Sequence, residues 1–437
     1  MKISISGIRG IYGYDLNLHE IIRFSRLFAS SLVRLKGKCV LARDTRHSGR
    51  IILQAASASL MEQGIDIFDL DVAPTPIVFR ESRKYGAGLA ITASHNPPEW
   101  NGLKFSIDGR GIYDDELELM LKGTIPSLGK IGNSQEIVSD YLDELLGLVT
   151  KTQGNIDVTV GIDQGGGAVC NYVEQLFKKL GVQFCCVNDS PGIFSRDPDP
   201  TVDELNDLRT LVLANNLDFG FAFDLDGDRL VVVNKNGIKL NPDSTLLMSI
   251  GGALDMGMKK FVTSIDTSVA VEKLIKSHHG RCDYSKVGES NVVKKMLEIH
   301  ADAGGEGSSG GFILPGFNNC RDGMLAASTI ACMNRSTINE CLKLALEYSQ
   351  IRLKIPVEPD SQMKLLDRLL DTLRSESSQI LMIDGVKAII DEDSWVLVRP
   401  SNTEDVIRLS LESKANNIQT LHKKILERIK FVVEHVR

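Results

Sequence analysis

Short apolar segments rich in β-branched residues alternate along this chain with segments whose apolar residues recur at helical spacing. The predicted strands cover residues 38–44, 87–94, 158–163 and 219–224, and the clearest predicted helices cover residues 19–35 and 171–181. Each predicted strand ends in a polar or glycine-rich turn. Such alternation is typical of α/β layers with largely parallel sheets, and it predicts ligand sites in the loops that follow the strands.

The length of 437 residues is too large for one ordinary core, so we expect two to four domains. Similar units of a strand and a glycine-containing turn recur near residues 38, 87, 158, 219 and 262. This recurrence indicates related α/β domains in tandem. Beyond residues 357–360 the pattern changes to a helix, then strands, then a final helix, which predicts a small α+β domain.

The charge balance excludes some classes of partner. Acidic and basic residues are mixed along the chain and give a net charge of −7, which argues against a nucleic-acid-binding protein. No apolar stretch reaches the length of about 18 residues that a membrane helix needs, and the N-terminal residues lack a signal-peptide core. We therefore expect a cytoplasmic protein without membrane contact.

The eight cysteines form no C-x-x-C pair and have no zinc-like spacing with histidine. We expect free thiols in a reducing compartment.

A candidate metal site lies at residues 224–229, Asp-Leu-Asp-Gly-Asp-Arg, directly after a predicted strand. Three carboxylates at alternate positions repel one another unless a cation neutralises them, and oxygen ligands suit magnesium. An EF-hand calcium loop is excluded because Arg229 and Lys235 occupy the positions that need glycine and glutamate. A solvated acidic turn is the alternative, but the flanking segments are strongly apolar.

Two further segments carry features of phosphate-binding sites. In residues 399–408, Arg399 is suited to gripping an oxyanion with two donors, and the Ser401–Asn402–Thr403 turn adds hydroxyl, amide and backbone donors. A plain polar hairpin turn remains the alternative. Near the N-terminus, Arg9 lies between glycines, where an ordinary loop arginine is equally consistent with the pattern.

Residues 304–311, Gly-Gly-Glu-Gly-Ser-Ser-Gly-Gly, are glycine-rich and are followed by Asn-Asn-Cys-Arg-Asp-Gly at 318–323. They lack the lysine of a nucleotide P-loop. A sugar-binding loop around Glu306 fits the pattern, and a flexible linker is the alternative.

The segment Thr-Ala-Ser-His-Asn-Pro at 92–97 places Ser94 beside His95. Adjacent side chains usually point in different directions, so the pair is expected to be a poor proton relay.

Together these motifs resemble those of the α-D-phosphohexomutase superfamily, which includes phosphoglucomutase, phosphomannomutase and phosphoglucosamine mutase. The resemblance covers nearly the whole chain in the family's order: SGIRG, TASHNPPEWNGLK, DLDGDR, GGEGSSGG and RPSNTEDVIR, with lesser matches at PTP (74–76) and Lys286-Val287-Gly288. It implies three similar α/β domains with mixed sheets and a C-terminal α+β domain, arranged around a central cleft. We place these domains at 1–150, 151–242, 243–355 and 356–437.

The resemblance also implies a reaction. Ser94 would carry a phosphoryl group and donate it to a hexose phosphate, giving a 1,6-bisphosphate that reorients and returns its other phosphoryl group. Mg²⁺ would be held by Ser94, Asp224, Asp226 and Asp228. The hexose 1,6-bisphosphate would serve as both intermediate and activator.

Further roles follow from the matched positions. Arg9 would add positive charge beside the transferring group, Lys104 is the candidate general acid or base, and His95 would shape the serine loop or bond phosphate. The residues implied in substrate binding are Arg229, Lys286, Glu306, Ser308, Arg399, Ser401, Asn402, Thr403 and Arg408.

The chain departs from the family's pattern in informative places. Many relatives have G-E-x-S-G-H in the sugar loop, whereas here Gly310 or Gly311 stands where the histidine would be. The phosphate loop has Asp405 where proline is common, and the metal loop has Leu225 where glycine is frequent.

We expect a phosphoglucosamine mutase, with a phosphomannomutase/phosphoglucomutase as the alternative. More remote alternatives are a non-catalytic sugar-phosphate-binding protein and a magnesium-dependent phosphatase. The partner would be a small phosphosugar, and the chain would be a monomer or a homodimer.

Overall fold

The structure, a computed structural model, describes residues 1–125, 130–150, 158–374, 377–400 and 405–436. Four β-sheets organise these residues, three of them mixed and the last antiparallel. None of the helices in the described ranges is long and apolar enough to cross a membrane.

The first sheet contains eight strands. They are β1 (Lys2–Ser4), β2 (Gly7–Ile11), β3 (Lys38–Arg43), β4 (Asp66–Val72), β5 (Ala87–Ile91), β6 (Trp100–Ile107), β7 (Arg110–Gly111) and β8 (Ser134–Glu136). Their order is β1-β2-β6-β5-β3-β4-β8, and β7 pairs with β6. The accompanying helices are α1 (Leu18–Phe28), α2 (Gly49–Glu62), α3 (Thr75–Tyr85) and α4 (Asp114–Lys122).

Two four-stranded sheets follow. The second contains β9 (Thr159–Asp163), β10 (Gln183–Val187), β11 (Phe219–Phe223) and β12 (Leu230–Asn234), with helices α5 (Tyr141–Val149), α6 (Val173–Leu180) and α7 (Asn206–Ala214). The third contains β13 (Lys260–Ser264), β14 (Arg281–Ser285), β15 (Ala303–Glu306) and β16 (Gly311–Ile313), with helices α8 (Pro242–Asp255), α9 (Val269–Ser277), α10 (Glu289–Ile299), α11 (Gly323–Ala331) and α12 (Arg335–Glu347).

The first three sheets share one four-stranded plan. A central strand pairs in parallel with the strands on both sides, and the last strand then joins antiparallel: β4-β3-β5-β6, β10-β9-β11-β12 and β14-β13-β15-β16. The central strands are buried over most of their length, as is usual where helices cover both faces of a parallel sheet, and this explains their continuous apolar sequences. The prediction of similar tandem α/β domains is confirmed.

The C-terminal unit is built differently, because its sheet is wholly antiparallel. It contains β17 (Tyr348–Pro356), β18 (Gln379–Leu381), β19 (Val386–Asp391), β20 (Ser394–Pro400) and β21 (Val406–Lys414), ordered β17-β21-β20-β19-β18, with helices α13 (Pro359–Arg374) and α14 (Ile418–Val436). The predicted α+β unit, with its first and last helices, is confirmed.

The predicted strands and helices agree with the structure, with one local difference. The segment predicted as a single helix over 19–35 is α1 followed by a π-helical stretch at Ala29–Val33. Helix α5 packs against α6 and contributes Tyr141, Leu145 and Val149 to a core that it shares with the second and third sheets. The domain boundaries at 150, 242 and 355 stay predictions.

Candidate active site

Three loops occupy equivalent positions in the three mixed sheets. The serine loop (92–99) joins β5 to β6, the metal loop (224–229) joins β11 to β12, and the sugar loop (307–310) joins β15 to β16. Each follows the carboxyl end of a parallel strand, which is where α/β sheets bind ligands. The repeated plan therefore explains why three separate motifs of the sequence meet in one place.

Ser94 lies at the centre of the serine loop and is 1% exposed. Its backbone has φ of 53°, a left-handed conformation that is uncommon outside glycine, and its N–H donates to Oγ1 of Thr92 at 2.8 Å. The Oγ lies 3.3 Å from Nδ1 of His95. The expectation that these adjacent side chains point apart is therefore wrong, although 3.3 Å is long for a hydrogen bond from a hydroxyl group.

The serine loop is held by Arg46, which sequence reasoning missed. Its guanidinium group donates to the backbone oxygens of Ser94 (2.6 Å), Asn96 (2.7 Å) and Trp100 (3.0 Å), and also to that of Pro97. Arg46 is 1% exposed, and Nε donates to the Asp44 carboxylate at 2.9 Å. A buried arginine with this many acceptors rigidly defines the path of the loop.

Asp44 also holds the serine loop, through a hydrogen bond from Thr92. Its Oδ2 also accepts from Oγ1 of Thr92 at 2.7 Å. Burial raises the pKa of Asp44, and the charge of Arg46 opposes this rise. The motif Arg-Asp-Thr-Arg at 43–46 was the available signal for this pair.

The metal loop places its three aspartates together, with one ligand oxygen of each within 4.8 Å of the others. All three are almost fully buried. One oxygen each of Asp226 and Asp228, the Oδ1 atoms, is buried without a hydrogen-bond partner. Unpaired buried carboxylate oxygens are costly, and an all-oxygen cluster of this kind suits Mg²⁺. The residues present therefore fit the implied metal.

The remaining oxygens of the aspartates orient the cluster. Oδ2 of Asp226 accepts from Oγ1 of Thr75 at 2.7 Å, and Oδ1 of Asp224 accepts from the N–H of Arg229 at 3.1 Å. Burial, together with the charges of Asp226 and Asp228, raises the pKa of Asp224. Thr75 belongs to the PTP segment at 74–76, so this lesser sequence match has a structural role.

Asp228 lies between cations from two other domains. Its Oδ2 accepts from Nζ of Lys104 and from Nη2 of Arg321, both at 2.8 Å. Burial alone would raise the pKa of Asp228, but the charges of Arg321, Lys104 and Arg229 together lower it. Burial likewise opposes the charge on Lys104, yet the charges of Asp228, Glu289 and Asp226 raise the Lys104 pKa overall.

Arg9, Arg229 and His95 surround the same centre. Arg9 donates to the backbone oxygen of Ala93 and to the side chain of Asn96, both at 3.4 Å, so it borders the serine loop. Nε of Arg229 lies 3.9 Å from the carboxylate of Asp224. Burial and the positive charge of Arg229 lower the pKa of His95, which favours neutral imidazole.

The sugar loop is a tight turn between paired strands, so the flexible-linker alternative is wrong. Glu306 is 5% exposed, and burial raises its pKa. Its Oε1 accepts from the N–H of Gly288 at 2.8 Å, and its Oε2 lies 3.4 Å from Nη1 of Arg321. Ser308 is half-buried in the turn.

The predicted phosphate loop joins β20 to β21, which pair antiparallel and place Arg399 directly opposite Arg408. Directly opposed residues share one face, and like charges there are unfavourable unless an anion joins them. Asp384 lies 3.7 Å from Arg399 and accepts from the N–H of Val287 at 3.2 Å, linking the C-terminal unit to the segment of the exposed Lys286. Ser401, Asn402 and Thr403 lie outside the described residues.

The fold and this site define an α-D-phosphohexomutase. Four family models match in order: phosphoglucomutase/phosphomannomutase alpha/beta/alpha domains I (1–125), II (139–237) and III (241–348), and the C-terminal domain (353–422). The chain belongs to the phosphoglucomutase/phosphomannomutase family, and its relatives are isomerases.

Two curated relatives are similar over most of their length. A "probable phosphoglucosamine mutase" of Methanobrevibacter smithii is 33% identical over 428 residues, covering 94% of each chain. A "phosphoglucomutase/phosphomannomutase" of Thermococcus kodakarensis is 30% identical over 439 residues, again covering 94% of each chain.

Solved structures agree in fold. A phosphoglucomutase/phosphomannomutase family protein from Burkholderia thailandensis superposes with a TM-score of 0.83 and 24% identity, covering 100% of this chain and 97% of that one. An N-acetylphosphoglucosamine mutase of Aspergillus fumigatus, in complex with GlcNAc-6P and magnesium, superposes with a TM-score of 0.59 and 14% identity, covering 95% and 97%.

Proposed function

We propose that this chain is a phosphoglucosamine mutase, which interconverts glucosamine 6-phosphate and glucosamine 1-phosphate through phosphorylated Ser94. The observation that carries the proposal is the position of the Ser94 hydroxyl, 3.4 Å from the Asp224 carboxylate within a buried aspartate cluster. The names of the relatives support the choice of sugar, since the Methanobrevibacter smithii protein is called a phosphoglucosamine mutase.

The reaction has two balanced transfers. In the first, the bond between Ser94 Oγ and phosphorus breaks, the phosphoryl group joins the oxygen of the free sugar hydroxyl, and the proton of that hydroxyl ends on Ser94 Oγ. In the second, after the 1,6-bisphosphate has reoriented, Ser94 Oγ takes the other phosphoryl group, and its proton passes to the sugar oxygen from which that group leaves. The net result moves phosphate between O6 and O1 and regenerates phosphoserine.

Positive charge and alignment supply most of the catalysis in such a transfer. When bound, Mg²⁺ would neutralise the charge that builds up on the transferring phosphoryl group, held by Asp224, Asp226, Asp228 and the phosphate on Ser94. The magnesium complex of the Aspergillus fumigatus neighbour supports this choice of ion. Arg9 and His95 border the serine loop and would bind the phosphate oxygens.

Lys104 is proposed as a general acid or base, because its Nζ lies at the metal loop, 2.8 Å from Oδ2 of Asp228. Its ion pair with Asp228 also gives it a second role, the orientation of the metal loop.

Substrate binding would use the phosphate loop between β20 and β21 and the sugar loop of the third domain. Arg399 and Arg408, with Ser401, Asn402 and Thr403, would hold the phosphate group that is not being transferred. Lys286 lies beside the Val287–Asp384 contact and would add charge at this end. Glu306 and Ser308 would contact sugar hydroxyls from the third domain.

A phosphomannomutase/phosphoglucomutase activity is the second candidate. It is favoured by the Thermococcus kodakarensis relative, which carries that name at 30% identity. The substrates of the two candidates differ at the C2 substituent of the sugar, an amine or a hydroxyl group, which a few polar contacts discriminate.

A coupled assay tests the proposal with Mg²⁺ and a trace of hexose 1,6-bisphosphate. It compares glucosamine 6-phosphate, mannose 1-phosphate and glucose 1-phosphate by kcat/KM. The proposal expects the highest value for glucosamine 6-phosphate. A higher value for mannose 1-phosphate or glucose 1-phosphate would establish the second candidate, and no turnover of any of them would contradict both.

A further inference from the structure

The segment Arg321–Asp322–Gly323 leads into helix α11, of which Gly323 is the first residue, and it contacts the metal loop of another domain. The N–H of Gly323 donates to the backbone oxygen of Gly227 at 3.1 Å. A Cβ atom at Gly323 would lie 2.8 Å from that same oxygen, so only glycine allows this approach. The third domain therefore forms one wall of the metal loop.

Asp322 anchors the segment. Its two carboxylate oxygens accept from the Tyr141 hydroxyl at 2.7 and 2.8 Å, and its Oδ1 caps helix α11 by accepting from the N–H of Leu325 at 3.0 Å. These contacts leave the neighbouring Arg321 side chain in a defined position.

Arg321 joins three carboxylates from separate parts of the chain. Its Nη2 donates to Asp228 at 2.8 Å, its Nε donates to Glu289 at 3.0 Å, and its Nη1 lies 3.4 Å from Glu306. Only 11% of the side chain is exposed. A guanidinium group is suited to this task, since it offers several donors in one plane and stays charged at every working pH.

The first residue of β16, which follows the sugar loop, leaves room for the Arg321 side chain. A Cβ atom at Gly311 would lie 2.2 Å from Cδ and 2.6 Å from Cγ of Arg321. Both are mid-chain atoms of a side chain that is held at its far end, so they cannot move without breaking its ion pairs. Arg321 therefore occupies the space that a side chain at the first residue of β16, directly after the sugar loop, would need.

We propose that Arg321 is a positioning residue that couples the metal loop to the sugar loop, by holding Asp228 and Glu306 in one fixed relation. The proposal rests on the proposed mutase function and extends it to a residue outside the matched motifs. Without Arg321, two buried carboxylates and the half-buried one of Glu289 would repel one another, and of its two contacts described here Glu306 would keep the bond to Gly288.

The contacts of Arg321 with Asp228 and with Glu306 have separate consequences. Because Lys104 and Arg321 both bind Oδ2 of Asp228, its Oδ1 is left without a hydrogen bond and would be available to hold the metal. Because Arg321 also reaches Glu306, a shift of the metal loop moves the group that would contact the sugar. Arg321 transfers no proton in this arrangement.

Phosphosugar affinity tests the proposal without turnover. In a Ser94→Ala background, binding of glucosamine 6-phosphate is measured by calorimetry with and without Arg321→Gln. We expect about tenfold or greater weakening, the usual loss for a hydrogen-bonded charge. Arg321→Lys should weaken binding less, because it keeps the charge but not the planar set of donors. Arg26→Gln, which removes an arginine–glutamate pair between α1 and α2, is the matched control and should change nothing.

The outcomes separate this proposal from the proposed function. If the Ser94→Ala protein binds glucosamine 6-phosphate and Arg321→Gln leaves that affinity unchanged, the role of Arg321 is overturned and the proposed function is not. Absence of binding to the Ser94→Ala protein, together with absence of turnover by the wild type, overturns both.

A double-mutant cycle tests the assigned position of Arg321 by stability instead of by binding. Gly311→Ala is made in the wild type and in an Arg321→Ala background, and thermal unfolding midpoints are compared. Gly311→Ala should clearly lower the unfolding midpoint of the wild type. It should lower that of Arg321→Ala much less, because the clash with the Arg321 side chain has been removed. Equal losses would contradict the assigned position of Arg321.

Discussion

The Oγ of Ser94 lies 3.4 Å from Oδ2 of Asp224, although 130 residues separate them in the chain. The first residue belongs to the loop after β5 and the second to the loop after β11, which are equivalent positions in two similar sheets. Packing of the two domains therefore brings the candidate nucleophile to the buried aspartate cluster. The predictions below follow from this contact and from the groups that maintain it.

Arg46 should control the rate of phosphoryl transfer more than the binding of substrate. Arg46→Lys keeps the charge, but an ammonium group cannot reach the four backbone oxygens that define the serine loop. We expect kcat to fall about tenfold or more. KM should change little, because the phosphate loop is untouched. Steady-state kinetics measure this, with Arg50→Lys, an exposed arginine in α2, as the control. A raised KM at unchanged kcat would contradict the assigned role.

The aspartate cluster should lose metal affinity and gain metal-free stability when one charge is removed. Asp226→Asn keeps the acceptor for Thr75 but lessens the repulsion among three buried carboxylates. Calorimetry should give Mg²⁺ binding weaker by about tenfold or more. The unfolding midpoint of the metal-free protein should stay the same or rise.

The control for this change is Asp189→Asn, at an exposed aspartate of the same domain. Unchanged Mg²⁺ affinity in Asp226→Asn would remove Asp226 from the metal site. Chelation of the metal should abolish turnover, and added Mg²⁺ should restore it.

Arg399 should act on substrate binding. Its contact with phosphate would persist in the ground state and the transition state, so Arg399→Ala should raise KM about tenfold or more with a smaller change in kcat. Arg374→Ala, at an exposed arginine at the end of α13, is the control. An unchanged KM would mean that the β20–β21 loop does not hold the phosphosugar.

Glu412 should make the contact between the third and fourth domains depend on pH. Its Oε2 accepts from the N–H of Val269 at 2.7 Å and from Nε1 of Trp395 at 2.5 Å. Burial raises the pKa of Glu412 to about 7, and the charge of Asp243 adds to this rise. In the unfolded chain the Glu412 carboxyl group has its ordinary pKa of about 4.5. The stability that the protonated group contributes is therefore fully present below about pH 4.5, and it is lost as the pH rises to about 7.

Glu412→Gln removes this titration and keeps an acceptor for both donors. Thermal unfolding is measured at pH 5 and at pH 7.5. The unfolding midpoint of the variant, relative to that of the wild type, should be higher at pH 7.5 than at pH 5. A difference between the two proteins that is independent of pH would contradict the raised pKa.

The sequence was sufficient for features that lie within one continuous segment. The strands, the three aspartates of 224–229 and the Ser94 segment could each be predicted, because alternation and spacing are local properties of the chain. The recurrence near residues 38, 87, 158, 219 and 262 was also informative, since β3, β9 and β13 are the central strands of the three sheets and β5 and β11 lie beside them.

Groups that depend on distant partners could not be found in this way. Arg46 contacts Ser94 across 48 residues, and Arg321 contacts Asp228 across 93. Arg46 takes its role from the fold of the first domain, which brings the turn after β3 to the serine loop, and Arg321 takes its role from the packing of the third domain against the second. Lys104 was recognised from its motif, but its ion pair with Asp228, which raises its pKa, depends on the fold.

Transfer of labelled phosphate tests the central claim, that Ser94 carries the phosphoryl group. The protein is incubated with Mg²⁺ and hexose 1,6-bisphosphate labelled with ³²P, and peptides and sugars are then separated. The account predicts label on the peptide that contains Ser94 and then in both monophosphate isomers, with neither label nor turnover in Ser94→Ala. Isomerisation that proceeds without label on Ser94, or that persists in Ser94→Ala, would contradict it.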